Sequence, residues 1–167
     1  MSISLVEVAG ANFRTDEESD TLNTAFMGRL GMRKRYLPAR LAISRSLAIP
    51  APPQPISDEA DPGKAIKGDT LFGTGTTLSV WLALITERSG ERNLDVRKLT
   101  SLVGAHWRRG IHLLDKEWEQ SDEDVAKFVK RLVEVAELPA TGAWRSRTGG
   151  SISGATFTTG HISVPVG

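Results

Sequence analysis

The hydrophobic residues recur at helical spacing in five separate stretches of the chain. Residues three and four positions apart lie on one side of a helix, so each stretch predicts an amphipathic helix. The first helix is predicted to begin at a capping box formed by Thr15 and Glu18 and to stop at Gly31. Its apolar stripe consists of Leu22, Ala25, Phe26 and Leu30.

A second helix is predicted directly after the first, and Pro38 fits its first turn. Its stripe consists of Leu41, Ala42, Arg45 and Ala48. The two helices should form an αα-hairpin. Residues 49–66 then hold five of the eight prolines, which excludes a helix or a central strand and predicts a semi-rigid connector.

The third helix is predicted to follow Thr76 or Thr77, to end before Gly90 and to be deeply buried. Its stripe consists of Leu78, Trp81, Leu82 and Ile85. The preceding segment "GDTLFGTGTT" lacks the lysine and hydroxyl that a nucleotide-binding loop carries after its last glycine. It is either a flexible turn or an anion-binding loop built from Gly68, Gly73 and Gly75.

The fourth helix begins near Asp95 and has the clearest stripe in the chain. That stripe consists of Leu99, Leu102, Val103, His106, Gly110, Leu113 and Leu114. Trp107 and Ile111 lie beside it, so the helix is apolar on more than one side, which indicates self-association. His106 and His112 lie six residues apart, about 240° around the axis, and cannot share a metal. His106 is expected to be a hydrogen-bonded core residue.

A fifth helix should begin at a capping box of Ser121 and Asp124 and close before Pro139. Its stripe consists of Val125, Phe128, Val129, Leu132 and Ala136. The predicted fold class is therefore all-α, a compact bundle of about five helices within residues 1–138. Residues 139–167 are glycine-rich and end in a strand-like alternation of apolar residues, so they form a linker, a tail or the start of a further domain.

Composition narrows the function classes. With 40% hydrophobic and 25% charged residues the chain is ordinary for a globular protein, and the lack of an apolar run of about 20 residues predicts a cytoplasmic protein without a membrane contact. The chain has no cysteine, which excludes disulfides, thiolate metal sites and cysteine nucleophiles. The carboxylates lie in caps and surface runs. We therefore expect no enzyme activity, no catalytic residues, no metal and no cofactor.

The formal net charge of +1 conceals a strongly basic segment. Residues 29–45, "RLGMRKRYLPARLAISR", hold six positive side chains and no acid. One interpretation is a phosphate-binding corner between the first two helices; the other is a solvated helix end, where cations are favourable anyway. The predicted DNA-binding residues are Arg29, Arg33, Lys34, Arg35, Arg40 and Arg45.

Three stretches of the chain together resemble the family of the DNA sulfur modification protein DndE. Residues 22–50 look like that family's opening helix, "RTG" turn and "R-L-A-x-x-x-S-L" second helix. The segment "KGDTLFGTGTTLSVWLALI", residues 67–85, is similar to its polar loop and leucine-rich helix, and "HWRRGIHLL", residues 106–114, resembles its "H-L-x-R-G-I-x-x-L" run. The ending "GHISVPVG" resembles the strand ahead of FtsK/HerA-type translocase modules, as in a fused or extended member of the family.

The resemblance implies a helical fold, a homo-oligomer, and binding of double-stranded DNA, nicked DNA in particular. It implies that sulfur transfer belongs to other DNA phosphorothioation proteins, in agreement with the absence of cysteine. The expected function is a non-catalytic DNA-binding subunit of a phosphorothioation or related phage-defence system. The alternative is a structural adaptor that docks a translocase or modification enzyme without binding DNA, and a third possibility is a DNA-nicking nuclease.

Overall fold

The computed structural model describes residues 3–91 and 93–137, and this part of the chain is predominantly helical. The helices are α1 (Leu5–Gly10), α2 (Glu17–Arg29), α3 (Tyr36–Leu47), α4 (Gly68–Phe72), α5 (Thr76–Ser89), α6 (Val96–Glu119) and α7 (Val125–Glu137). Two short strands, β1 (Asn12–Phe13) and β2 (Ile66–Lys67), pair antiparallel with Phe13 opposite Ile66. The predicted all-α class is confirmed. The predicted strand and domain boundary at 139–167 lie outside the described residues.

The long helix α6 forms the centre of the fold, and α3 packs along it in the antiparallel direction. Ala42 of α3 meets Gly110 of α6, and one turn further along α3, Ser46 meets His106. The core around this pair is built from all seven helices and both strands. Its largest fully buried side chains include Trp107, Phe13, Phe26, Phe72 and Phe128.

All five predicted helices are present, but two of their caps differ from the prediction. The side chain of Asp16, not Thr15, caps α2 by accepting a hydrogen bond from the Ser19 amide at 2.8 Å. Asp124, not Ser121, caps α7 by accepting from the Lys127 amide, while the Ser121 hydroxyl donates to a carbonyl of α6. In both cases two cap-forming residues stand close together, and spacing alone cannot choose between them.

The proline-rich connector is held against the start of α2 by backbone hydrogen bonds. Glu17 donates its backbone N–H to the Asp61 carbonyl at 2.8 Å, and Gly63 donates to the Thr15 carbonyl at 2.8 Å. A Cβ on Gly63 would lie 2.9 Å from the Asp16 carbonyl, so glycine permits this close approach. The connector then leads into β2, which closes the small sheet with β1.

The pattern missed the short elements α1, α4, β1 and β2. Each has too few residues for a period to be visible, and each is stabilised by tertiary packing. The segment expected to be a flexible turn or an anion loop forms α4, and Gly68 packs directly against the Val8 carbonyl of α1. Gly73 and Gly75 follow with φ of 79° and 57°, so the positive φ values that favour glycine lie in the link between α4 and α5.

Two helices are less buried than their stripes predicted. On α5, Leu78 and Ile85 are buried, but Val80 and Leu84 are 53% and 52% exposed, so the prediction of deep burial is wrong for this helix. On α7, Phe128 is fully buried. Val125 and Val129 of the predicted stripe are 46% and 50% exposed, and Val133, which follows at the same spacing of four, is 51% exposed; these three valines form the exposed α7 stripe.

Candidate nucleic-acid interface

The basic segment forms the turn between α2 and α3, and its tip is exposed. Gly31 adopts a φ of 61° just after α2, which lets the chain reverse direction. The Asn23 side-chain amide donates to the Arg35 carbonyl at 3.0 Å and holds the returning chain against α2. Arg33 and Lys34 lie at the tip of the turn, are exposed, and form no ion pair with the described residues.

Three arginines of the segment are paired with carboxylates of distant elements. Arg29 contacts Asp115 at 2.6 Å. Arg35 pairs with Asp20, which also accepts a hydrogen bond from the Lys64 amide. Arg45 donates through two nitrogens to Glu117 Oε1, at 2.9 and 2.7 Å. Each of these carboxylates is largely or partly removed from water, so each pair satisfies an otherwise costly charge.

The sixth cation of the segment, Arg40, stabilises the end of α4. Its guanidinium donates to the carbonyls of Leu71 and Thr70, at 2.5 and 3.3 Å, and these are groups that a helix end leaves without partners. It also lies 4.5 Å from the centre of the Tyr36 ring, a cation–π contact that fixes both side chains.

The local charge of the basic segment is therefore about half of what its sequence shows. Six cations face three bound carboxylates, which leaves a surplus of three positive charges in this corner. Two of the three surplus cations, Arg33 and Lys34, are at the exposed tip, and the third is the partly buried Arg40. A polyanion approaching this corner would meet the tip first.

Residues of the "HWRRG" run form the seam between α6 and α3. The Arg109 guanidinium donates to the Ser46 hydroxyl and carbonyl, at 2.7 and 2.8 Å, and to the Ala51 carbonyl at 2.7 Å. The Ser46 hydroxyl lies 2.9 Å from His106 Nδ1. Gly110 lies directly on the Ala42 backbone, where a Cβ would overlap the carbonyl. This run and the second-helix motif are thus two sides of one helix contact.

His106 is a structural residue, as predicted. It is 1% exposed, and burial together with the nearby charges of Arg109 and Arg88 lowers its pKa from 6.5 to about 4. The imidazole is thus neutral, and the Ser46 hydroxyl, which accepts from Arg109 Nε, also shares a hydrogen bond with Nδ1. Ser46 is 0% exposed, and Arg109 occupies its oxygen, so this serine–histidine pair is not arranged for nucleophilic catalysis.

Trp107 and Ile111 do not supply the self-association surface that the sequence indicated. Both are 0% exposed within the single chain, and the Trp107 indole donates to the Asn23 side-chain oxygen at 3.2 Å. α6 is apolar on more than one side because α2 and α3 pack on it from two directions. Among the described residues, large apolar side chains remain exposed on α7, at Val125, Val129 and Val133, and on α5, at Val80 and Leu84.

A second cationic surface, missed at the sequence level, lies on the outer side of α6. A groove of about 350 Å³ is lined by Gln54, Ala105, Arg108, Arg109, His112, Leu113 and Lys116. Its α6 residues recur at intervals of three and four, and Arg108, His112 and Lys116 are each four apart. That period is visible in the sequence. The DNA-binding residues were nevertheless predicted within residues 29–45, because positive charge is denser there.

Within residues 3–91 and 93–137, no cluster of three histidine, aspartate or glutamate side chains is placed to hold a metal ion. In the same part of the chain, no helix is both long and apolar enough to cross a bilayer.

The described residues form a helical fold in which His106 and Arg109 of α6 hydrogen-bond to Ser46 of α3, and a basic turn is exposed between α2 and α3. A family model described as "DNA sulphur modification protein DndE" matches residues 13–122, well over half of the chain. The chain therefore belongs to the DndE family. The match runs from β1 to the end of α6, so it contains the basic turn and both sides of the α3–α6 seam and stops before α7. No curated protein and no solved structure gives a significant match to the chain.

Proposed function

We propose that this chain is a non-catalytic DNA-binding subunit of a DNA sulfur-modification system, and that Arg33 and Lys34 contact the phosphates of duplex DNA. Family membership supports the role in DNA sulfur modification. The observation that carries the site is the exposed tip of the α2–α3 turn, where two adjacent cations have no carboxylate partner in the described residues.

Arg29, Arg35, Arg40 and Arg45 are assigned a supporting role. If Arg45 turned toward a phosphate, Glu117, which is 6% exposed, would be left as a buried unpaired charge. Breaking such a pair costs roughly 3–5 kcal/mol, more than a single surface phosphate contact returns. These arginines shape the corner and add to its positive potential while Arg33 and Lys34 meet the ligand.

Binding of this kind depends on charge and shape. Phosphate contacts carry no sequence information, so the subunit should bind duplexes of different sequence about equally well. Nicked and intact duplexes should both bind, and comparing them measures the preference that the family resemblance implies.

Charge reversal of the tip tests the assignment. The double variant Arg33→Glu with Lys34→Glu should lose at least tenfold in duplex affinity at low salt, measured by fluorescence anisotropy. Arg97→Glu with Lys98→Glu is the matched control, because it reverses an adjacent, exposed pair of cations elsewhere on the chain. Equal losses in both variants would show diffuse attraction and refute the assignment to the turn.

The subunit is also proposed to be catalytically silent and homo-oligomeric. Supercoiled plasmid incubated with the protein and magnesium or manganese should remain uncut, and nicking would support the nuclease alternative.

The exposed α7 stripe of Val125, Val129 and Val133 supports self-association. Val129→Asp should reduce the mass measured by light scattering, whereas Leu84→Asp on the exposed part of α5 should leave it unchanged.

The second candidate function is an adaptor that docks another protein of the phosphorothioation or phage-defence system. The same exposed α7 stripe favours it, because α7 lies beyond the residues that the family model matches. A chain that is monomeric and does not bind DNA, yet binds a purified partner of the system, would support the adaptor over the DNA-binding subunit.

A further inference from the structure

The groove on the outer side of α6 has a charge balance unlike that of the basic turn. Its lining contains Arg108, Arg109 and Lys116 together with His112, and no carboxylate among the described residues lines it. Gln54 of the connector forms the facing side. Since the α2–α3 turn contributes none of the lining residues, this is a separate cationic site.

Arg109 supplies a positive charge that forms no ion pair with a carboxylate of the described residues. Its three hydrogen-bond acceptors are neutral: the Ser46 hydroxyl, the Ser46 carbonyl and the Ala51 carbonyl. Three of its five N–H groups are used in this way, so two remain available. Burial and the charge of Arg88 lower the Arg109 pKa, so this guanidinium lies in surroundings short of negative charge.

Arg108 and Lys116 supply the other two positive charges of the groove. Arg108 Nε forms an ion pair with the buried Asp16 Oδ2 at 3.1 Å, while its two terminal nitrogens form no hydrogen bond with a described residue. Lys116 is exposed and has no ion pair or side-chain hydrogen bond in the described part of the chain. Arg108 and Arg109 are adjacent in sequence, and Lys116 lies eight and seven residues further along α6, about two turns away, so all three line one groove.

We propose that this groove binds a phosphate ester, with the phosphate between Arg108, Arg109 and Lys116 and the attached sugar over Ala105 and Leu113. Arginine matches the planar, paired acceptor oxygens of a phosphate, and lysine adds a point charge. A volume of about 350 Å³ accommodates a phosphate with one sugar-sized substituent. The phosphate belongs either to a DNA strand or to a free nucleotide. The proposal stands independently of the assignment of Arg33 and Lys34.

Two matched variants separate this site from the basic turn. The groove variant is Lys116→Gln, and the turn variant is Lys34→Gln; each removes one positive charge that has no carboxylate partner among the described residues. The probes are a deoxynucleoside monophosphate, inorganic phosphate and a short duplex. Binding is followed by titration calorimetry and by NMR shifts of the His112 ring and of the arginine Nε–H groups.

We expect at least one phosphate ester probe to shift the His112 and Arg109 resonances, and the groove variant to lose at least tenfold in affinity for it. The turn variant should stay within twofold of the wild type for the mononucleotide. A response to the mononucleotide identifies a free nucleotide as a sufficient ligand; a response to the duplex alone identifies a DNA phosphate. If no probe moves these resonances, or if both variants lose affinity equally for the mononucleotide, the groove is not a phosphate site. Loss of duplex binding in the turn variant alone, with the groove silent, would overturn this proposal and leave the proposed function intact.

Discussion

At Gly110 the backbones of α3 and α6 are in direct contact, with no room for a side chain. Gly110→Ala therefore measures how closely the two helices must approach. A Cβ at this position would overlap the Ala42 carbonyl and lie 2.9 Å from the Ala42 Cα, against 3.4 Å or more in ordinary contact. The two helices would have to separate by more than about 1 Å, since packed backbones cannot yield locally. Overpacking of this kind costs about 1–3 kcal/mol.

The separation would also stretch the hydrogen bonds of the seam. Arg109 donates to Ser46 at 2.7 and 2.8 Å, and Ser46 bonds to His106 at 2.9 Å. A buried polar group that loses its partner costs about 1–3 kcal/mol, so we expect Gly110→Ala to lower the free energy of unfolding by about 3 kcal/mol or more.

Gly28→Ala is the matched control. Gly28 lies inside α2, is exposed, and has nothing within 4 Å of the position of an added Cβ. Alanine should therefore stabilise this helix by about 0.5–1 kcal/mol. Both variants are measured by denaturant unfolding followed by far-UV circular dichroism. A Gly110→Ala protein within about 0.5 kcal/mol of the wild type would refute the close approach of the two helices, since that is the range of an ordinary surface change.

Three further predictions test single side chains. His106 has a folded-state pKa of about 4 against an ordinary 6.5, so it stabilises the fold above pH 6.5. This contribution of at most about 3 kcal/mol is lost as the pH falls toward 4. His106→Gln should therefore show a shallower loss of unfolding free energy between pH 7 and 4, and an unchanged slope would contradict the neutral, buried imidazole. Arg45→Met should cost about 3 kcal/mol by leaving Glu117 buried and unpaired, and adding Glu117→Gln should restore most of it in the same unfolding assay; no recovery would show that Glu117 is not the cause. Glu123 adopts a φ of 57°, so Glu123→Gly should raise stability by about 0.5–1 kcal/mol, and a loss would show that the side chain matters more than the strain.

The long helices could be predicted from the sequence because each buries one side of a regular period. Asp95 caps α6 and Gly90 follows α5 in the left-handed conformation, as their residue types predict. By contrast, α4 exists because Gly68 can lie on the α1 backbone and because Arg40 satisfies its last carbonyls. Those partners lie dozens of residues away, so no local pattern reveals them.

The same long-range pairing explains why the basic segment was only partly understood from sequence. A count of charges along residues 29–45 sees no acid, whereas folding brings Asp20, Asp115 and Glu117 onto three of its arginines. The prediction of six DNA-binding residues is not tested by the structure, but the structure separates the two at the tip, Arg33 and Lys34, from the four with intramolecular partners.

The salt dependence of duplex binding tests the central claim most directly. Each phosphate contact releases counterions, so the logarithm of the association constant should fall linearly with the logarithm of salt concentration. Replacing Arg33 and Lys34 by glutamine should weaken binding at low salt and reduce that slope by about two, roughly one for each lost contact. A wild-type protein that binds no duplex in dilute buffer, or a variant whose slope equals that of the wild type, would contradict a phosphate-binding turn.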